Sequence, residues 1–318
     1  MEEAYKWSDY TKEELNELYR AGKLSGVEFS RRCLAMAAKE TTQTDREDLL
    51  SNFIWFIKER ESVRMKKEAG MERPWTDDAV LDKTKFTNIF RQDDRVSKFI
   101  FDAVEGMKGR ELLYNLMVGR FINRTDALSK VLPNGNLEVL LEGEAAFLNS
   151  SAYQISPGLS YHNGYDTVRE FIVYELEKRV DVVYSVIEAG DAVSECSSKM
   201  NKAFGGSAPF VFFQIALDWH YLTGQLIDSP VIRIGQGGSA IFQVLLNKIQ
   251  DNPDYAENVR AFTADISELV EEVNQHLDRK LTPSDLEHAA CEYRKYLHRQ
   301  GKQLNRYSYV PNSMGIKE

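Results

Sequence analysis

Between Thr87 and Ile100 the chain reads TNIFRQDDRVSKFI, with two arginines, two aspartates, an asparagine and a glutamine set into an apolar pattern. Read as a helix, this stretch puts Asn88, Arg91, Arg95 and Lys98 along one face, while Phe90, Phe99 and Ile100 serve a core. Asp94 follows Arg91 by three residues and can brace its guanidinium. A braced arginine is preorganised for bidentate contact with phosphate or carboxylate. A salt bridge tying two helices would use the same residues.

Three further segments carry polar groups at helical spacing. In GRFINRTDAL, Arg120, Asn123 and Arg124 fall at i, i+3 and i+4, either converging with the first segment on one anionic group or standing as independent surface positions. In FVFFQIALDWHY, Gln214 and Asp218 lie four apart in an aromatic helix. A carboxylate in that setting needs a partner or has a raised pKa. That suits a general base, an anchor for an amine, or a hydrogen-bonded core pair. In DLEHAACEYRKY, Glu287, Cys291 and Arg294 or Lys295 occupy adjoining turns, and Glu292 stands three before Lys295. Salt-bridged helix packing accounts for this segment, and Cys291 has only His288 nearby in sequence to support a nucleophile.

IRIGQGGSAIF is a glycine-rich turn leading into a helix. The backbone N–H groups of Gly235, Gly237, Gly238 and Ser239 could hold a phosphate there. Such a turn between two helices has the shape of a helix–hairpin–helix, and a plain connecting turn is the alternative. The phosphate loop G-x-x-x-x-G-K-[ST] occurs nowhere in the chain.

Helix signals dominate the elements that must position these groups. Thr11 with Glu14, Ser25 with Glu28, and Thr167 with Glu170 have capping-box spacing. Gly22, Gly190, Gly224 and Gly301 close helices, and Ser207 with Pro209 and Thr282 with Pro283 and Asp285 open them. SAYQIS and SPVIRI are the only short strand candidates, and the irregular region falls between Asn134 and Asp166. The expected class is mainly α, a single helical domain of two lobes over residues 1–318. It comprises an N-terminal helical extension (1–80), a core (81–300) and a C-terminal tail (301–318).

Composition narrows the chemistry. Three widely spaced cysteines, Cys33, Cys196 and Cys291, with no C-x-x-C pair, make a disulfide scaffold or zinc ribbon an unsuitable reading. No two of the five histidines have metal-ligand spacing, so no metal and no cofactor is expected. No apolar run approaches a membrane span and the N-terminus MEEAYKWSDY is not a secretory signal, which points to the cytoplasm. The net charge of −9 weighs against broad nucleic-acid binding but leaves two locally basic stretches, Lys58 to Lys67 and Arg294 to Arg306.

Together the segments resemble the α-glutamyl/putrescinyl thymine pyrophosphorylases, helical DNA-glycosylase-like enzymes of bacteriophage thymine hypermodification. NIFRQDD resembles their N-x-x-R-x-x-D signature and RFINRT their R-x-F-N segment, with Ile122 in place of Phe. PFVFFQIALDW is similar to their helix with Gln and Asp four apart, and LEHAACEYRKY to their C-E-x-D-K-Y helix, with Arg294 where Asp is usual. The likeness runs from about Phe86 to Tyr296, and a related helical domain accompanies phage 5-hydroxymethyluracil DNA kinases. The resemblance implies a helix–hairpin–helix-type fold, base flipping into a cleft, and a transferase reaction. An amine, either an amino acid or a polyamine, displaces pyrophosphate from 5-(pyrophosphooxymethyl)uracil in DNA. The kinase acts upstream, in the cytoplasm of an infected host and without a membrane.

That reaction would use Arg91 and Arg124 to neutralise pyrophosphate and Asp94 or Asp218 to deprotonate the amine. Asn88, Arg120, Asn123, Gln214, Glu292 and Lys295 would bind substrate, and the Gly235–Ser239 turn would hold the DNA backbone. The competing readings are a DNA glycosylase of the same fold, and a non-catalytic DNA-binding module of a phage modification complex.

Overall fold

The computed structural model describes residues 43–142, 163–235, 237–247 and 261–300, with isolated positions between 14 and 23. The first part of the chain forms α1 (Gln43–Glu68), α2 (Ala79–Lys83), a 3-10 turn (Arg91–Asp93), α3 (Arg95–Ala103), α4 (Gly109–Ile122) and α5 (Thr125–Leu128). A second 3-10 turn (Leu137–Leu140) precedes α6 (Val168–Glu188), α7 (Val193–Phe204) and α8 (Pro209–Thr223). Then come β1 (Val231–Ile234), α9 (Ser239–Leu245), β2 (Phe262–Asp265), α10 (Ser267–Asn274) and α11 (Pro283–Arg299). The mainly α class expected from the sequence is the one found. No described helix is long and apolar enough to cross a membrane.

Capping chemistry sets the long helices. Thr167 and Glu170 form a reciprocal capping box on α6, and Thr282 and Asp285 form one on α11, where Pro283 takes the first turn. Gly224 ends α8 in the left-handed conformation, φ 68°, as Asn123 ends α4 at φ 51°. The opening at α8 differs by one residue from expectation, since Ala208 rather than Ser207 is its N-cap. The expected boxes at Thr11 and Ser25, the stops at Gly22 and Gly301, and the candidate strand SAYQIS lie outside the described residues.

The chain divides into two compact units. One takes the described residues up to Ile89 and those from Pro230 onward, and the other runs from Phe90 to Ser229. In the second unit α4 packs on α6 and α8, and α7 packs on the same two helices. Phe204 sits between Phe121, Phe171 and Phe212, with ring centroids 5.3, 5.5 and 5.0 Å away. All four rings are buried, each stabilising the bundle by roughly 1.5–3 kcal/mol. Gly119 lets α4 close on α3, because a Cβ there would meet Ile100 Cδ1 at 2.8 Å.

In the first unit α1 and α9 pack on α11. Phe53 and Phe56 of α1 each lie 5.2 Å from the Tyr293 ring of α11. The candidate strand in SPVIRI is β1, and it pairs antiparallel with β2, whose sequence FTAD is too short and polar to signal a strand.

The stretch TNIFRQDDRVSKFI is not one helix. Thr87 to Phe90 is irregular, Arg91 to Asp93 makes a single 3-10 turn, and α3 starts only at Arg95. Asp94 interrupts the run: its backbone is extended, φ −64° and ψ 137°, as the N-cap position of α3 requires. Asn88, Arg91, Arg95 and Lys98 therefore share no common helix face.

Candidate functional site

Helix α8 presents Gln214 and Asp218 one turn apart, both buried. Arg120 of α4 grips Asp218 with two bonds, Nε to Oδ2 and Nη2 to Oδ1, each 2.5 Å. The same Nη2 donates to the Ser97 hydroxyl of α3 at 2.8 Å. Both side chains of the pair are 2% exposed. Burial pushes the Asp218 carboxyl above its ordinary range, and the Arg120 guanidinium, followed by that of Arg91, opposes the shift.

Arg91 meets the neighbouring turn of α8. Its Nε and Nη2 both donate to Gln214 Oε1, at 3.1 and 2.7 Å, and its Nη1 donates to Asp94 Oδ2 at 2.6 Å. The extended backbone at Asp94 explains this geometry: the side chain turns back onto Arg91 and makes no capping bond to α3. Arg91, Asp94, Gln214, Asp218, Arg120 and Ser97 thus form one polar cluster within an apolar bundle. Ser97 escaped sequence reasoning, its only signal being a serine three residues after Asp94.

Asn123 is buried, and its backbone N–H donates to Gly119 O at 2.8 Å. Arg124 pairs with the exposed Asp126, and its guanidinium holds that carboxyl below the usual range. Asn88 belongs to the first unit and is half-buried.

Glu292 and Lys295 act in the first unit on the segment just before Asn88. Glu292 Oε2 accepts from the Thr87 backbone N–H at 2.9 Å and from Lys295 Nζ at 3.3 Å. Lys295 Nζ also donates to Lys85 O at 2.8 Å and lies 5.0 Å over the Phe86 ring. Arg60 of α1 donates to Phe86 O from Nη2 at 3.3 Å, and His288 Nε2 lies 3.0 Å from Thr87 Oγ1. The glutamate and lysine of α11 therefore fasten the chain between Lys85 and Thr87.

The glycine-rich turn lies between β1 and α9, a strand and a short helix, so it is not the hairpin between two helices that its sequence suggested. Gly235 N–H donates to Glu287 Oε1 at 2.9 Å, and the N–H groups of Gly238 and Ser239 both donate to Gly235 O. A phosphate on Gly235 would have to displace a carboxylate. The glycines answer to packing: a Cβ at Gly237 would lie 2.3 Å from Cys291 Sγ, and one at Gly238 would touch α11. Arg294, standing where the resembled family has Asp, donates to Gly237 O at 3.2 Å and holds the turn. Burial, then the charges of Glu287 and Glu292, push the Cys291 thiol up to about 12, so it stays protonated at neutral pH. Among the described residues no group of His, Cys, Asp and Glu could hold a metal ion.

Fold and site define a mainly α protein of two units, one of which encloses paired guanidinium and carboxylate groups in an aromatic bundle. Residues 47–306 match the family described as 5-hmdU DNA kinase, helical domain, and the chain belongs to that family. The match is to the related helical domain and not to the thymine pyrophosphorylases themselves. No curated protein and no solved structure matches the chain.

Proposed function

We propose that the protein takes part in thymine hypermodification of DNA, as a transferase that replaces pyrophosphate on 5-(pyrophosphooxymethyl)uracil with an amine. Membership in the helical-domain family supports the DNA-base context. The missing G-x-x-x-x-G-K-[ST] loop makes this chain a poor kinase by itself and suits the step after phosphorylation. The observation that carries the reading is the Arg91 fork, buried and braced on one side by Asp94 and on the other by Gln214.

In the proposed reaction the amine nitrogen attacks the exocyclic methylene carbon. The C–N bond forms as the C–O bond breaks, and pyrophosphate leaves with the electron pair. Arg91 takes the developing negative charge, exchanging the Gln214 carbonyl for phosphate oxygens, with Arg124 as a second cation. Asp94, the more exposed of the two candidate bases, accepts the amine proton. Asp218 is occupied on both oxygens by Arg120, so this pair holds the α4 and α8 walls of the site. Asn123 and Gln214, both in the second unit, read the flipped base or the donor. Electrostatic stabilisation of the leaving group is worth roughly a hundredfold to a thousandfold in rate for one donor.

Nucleoside mass spectrometry tests the proposal. Kinase-treated 5-hydroxymethyluracil DNA is incubated with the protein and a pool of amino acids and polyamines. A single new thymidine adduct, with pyrophosphate released, is expected. Free base with abasic-site nicking would replace the proposal with a glycosylase, and bound but unaltered DNA with a binding module.

A further inference from the structure

Local carboxylates neutralise part of the positive charge on α1. Arg64 is paired twice, with Glu61 and Glu68, each at 2.5 Å. Lys67 and Arg73 differ. Both are exposed, and among the described residues neither pairs with a carboxylate, although Glu68, Glu72 and Asp77 are close in sequence. Each instead lies over the indole of Trp75, with Lys67 Nζ 5.9 Å and Arg73 Cζ 4.5 Å from the ring centroid.

The ring is held in place by its own segment. Trp75 Nε1 donates to Met71 O at 2.7 Å, its carbonyl accepts from Lys66 Nζ at 2.7 Å, and its backbone N–H reaches Asp82 Oδ1 at 3.4 Å. The negative end of the α1 dipole favours Lys67 where it stands, but Arg73 lies beyond the helix and gains nothing from it. Ordering two long cationic side chains costs rotamer entropy. The indole offsets part of that cost. Among the described residues no carboxylate pairs with either cation, so both can also take an anionic ligand.

We propose that Lys67, Arg73 and Trp75 form a nucleic-acid contact in the first unit that takes the sugar-phosphate backbone of the DNA substrate. The two cations meet phosphates, and the indole offers its face to a sugar or an unpaired base. Interleaved cations and an aromatic ring suit nucleic acid better than an acidic peptide, which has no use for the ring face. Both charges sit against one ring, so their separation is at most the sum of the two centroid distances, within reach of successive phosphates on a strand. The inference rests on DNA being the substrate and is independent of the chemistry at Arg91.

The test is fluorescence anisotropy of the full chain with labelled unmodified oligonucleotides over a salt series. Wild type is compared with K67E/R73E and with the milder K67Q/R73Q. Both variants should melt like wild type, because the side chains are exposed. Affinity should fall at least tenfold in the charge reversal, and the salt slope should drop by about two units in each variant, at about 0.9 per phosphate contact. If wild type binds and both variants keep its affinity and slope, the contact is wrong while the transferase reading stands. If the variants lose binding but no adduct forms in the transfer assay, the reading fails and the contact stands. Failure of wild type to bind any DNA overturns both. Displacement of DNA by poly-glutamate at equal charge would make this an acidic-peptide site and overturn the inference.

Discussion

At the scale of single residues, the cluster in the second unit separates two kinds of arginine. Arg120 is a structural anchor, bidentate on Asp218 and almost wholly buried. Asp218→Ala should cost about 3–5 kcal/mol of stability, because it leaves a guanidinium buried without its carboxylate. Replacing both partners by apolar residues, R120M with D218L, should recover most of that loss, and urea unfolding of the single and double variants checks it. Arg91 is also buried, but its partners include a neutral amide, Gln214, and the partly exposed Asp94. Arg91→Ala should lower transfer by a hundredfold or more, and should cost about 1–3 kcal/mol of stability because the buried Gln214 carbonyl loses its donor. Asp94→Asn keeps the shape and loses the charge, so it should impair transfer more than stability. Unfolding of either variant before activity is lost would return Arg91 to a purely structural role. Cys291, whose thiol burial pushes up to about 12, should resist iodoacetamide at neutral pH until the protein unfolds.

Among the elements, the sequence announced the helices and hid their interruptions. Capping boxes at Thr167 and Thr282 and the glycine stop at Gly224 were legible because each rests on local hydrogen bonds and dihedral preferences. The break at Asp94 was not, since Arg91, Asp94 and Ser97 have perfect helical spacing and only the pull of Arg91 on Asp94 shows why the helix starts late. The same long-range blindness applies to the glycine-rich turn. Its glycines look like a phosphate cradle in sequence, and the approach of α11, which leaves no room for a Cβ at Gly237 against Cys291, is seen only in the structure. Gly237→Ala should therefore destabilise the first unit, and C291A should partly rescue it by removing the opposing sulfur. A phosphate-binding role alone would predict no such rescue, so thermal melts of the two single variants and the double separate the accounts. Thr167→Ala should cost about 1 kcal/mol by removing the α6 cap.

Among the described residues the molecule carries two cores, one around Phe204 and one around Tyr293, and each unit has its own ion pairs. Unfolding need not be a single transition, so stability against pH is best followed with a probe of each unit. In the second unit Glu175 is an acid-sensitive element, alongside the more exposed Asp126. Burial raises the Glu175 carboxyl, but the hydrogen bonds from Lys178, Tyr165 and Arg179 outweigh that and hold it down to about 2. Arg179 in turn reaches Phe204 O at 2.6 Å, so the network ties α6 to the end of α7. The sign follows from linkage: the carboxyl binds a proton more weakly folded than unfolded, so its contribution is complete above its ordinary value near 4.5. The contribution is lost as pH falls from there toward 2. The second unit should therefore lose stability across that window, and Glu175→Gln, which has no proton to bind, should flatten the slope while lowering stability at pH 7. Melting followed by tryptophan fluorescence in a W7F/W55F/W75F background, which leaves Trp219 of this unit as the sole tryptophan, from pH 7 down to pH 2 measures both effects. Equal slopes in wild type and variant would show that the network at Glu175 does not govern the acid response.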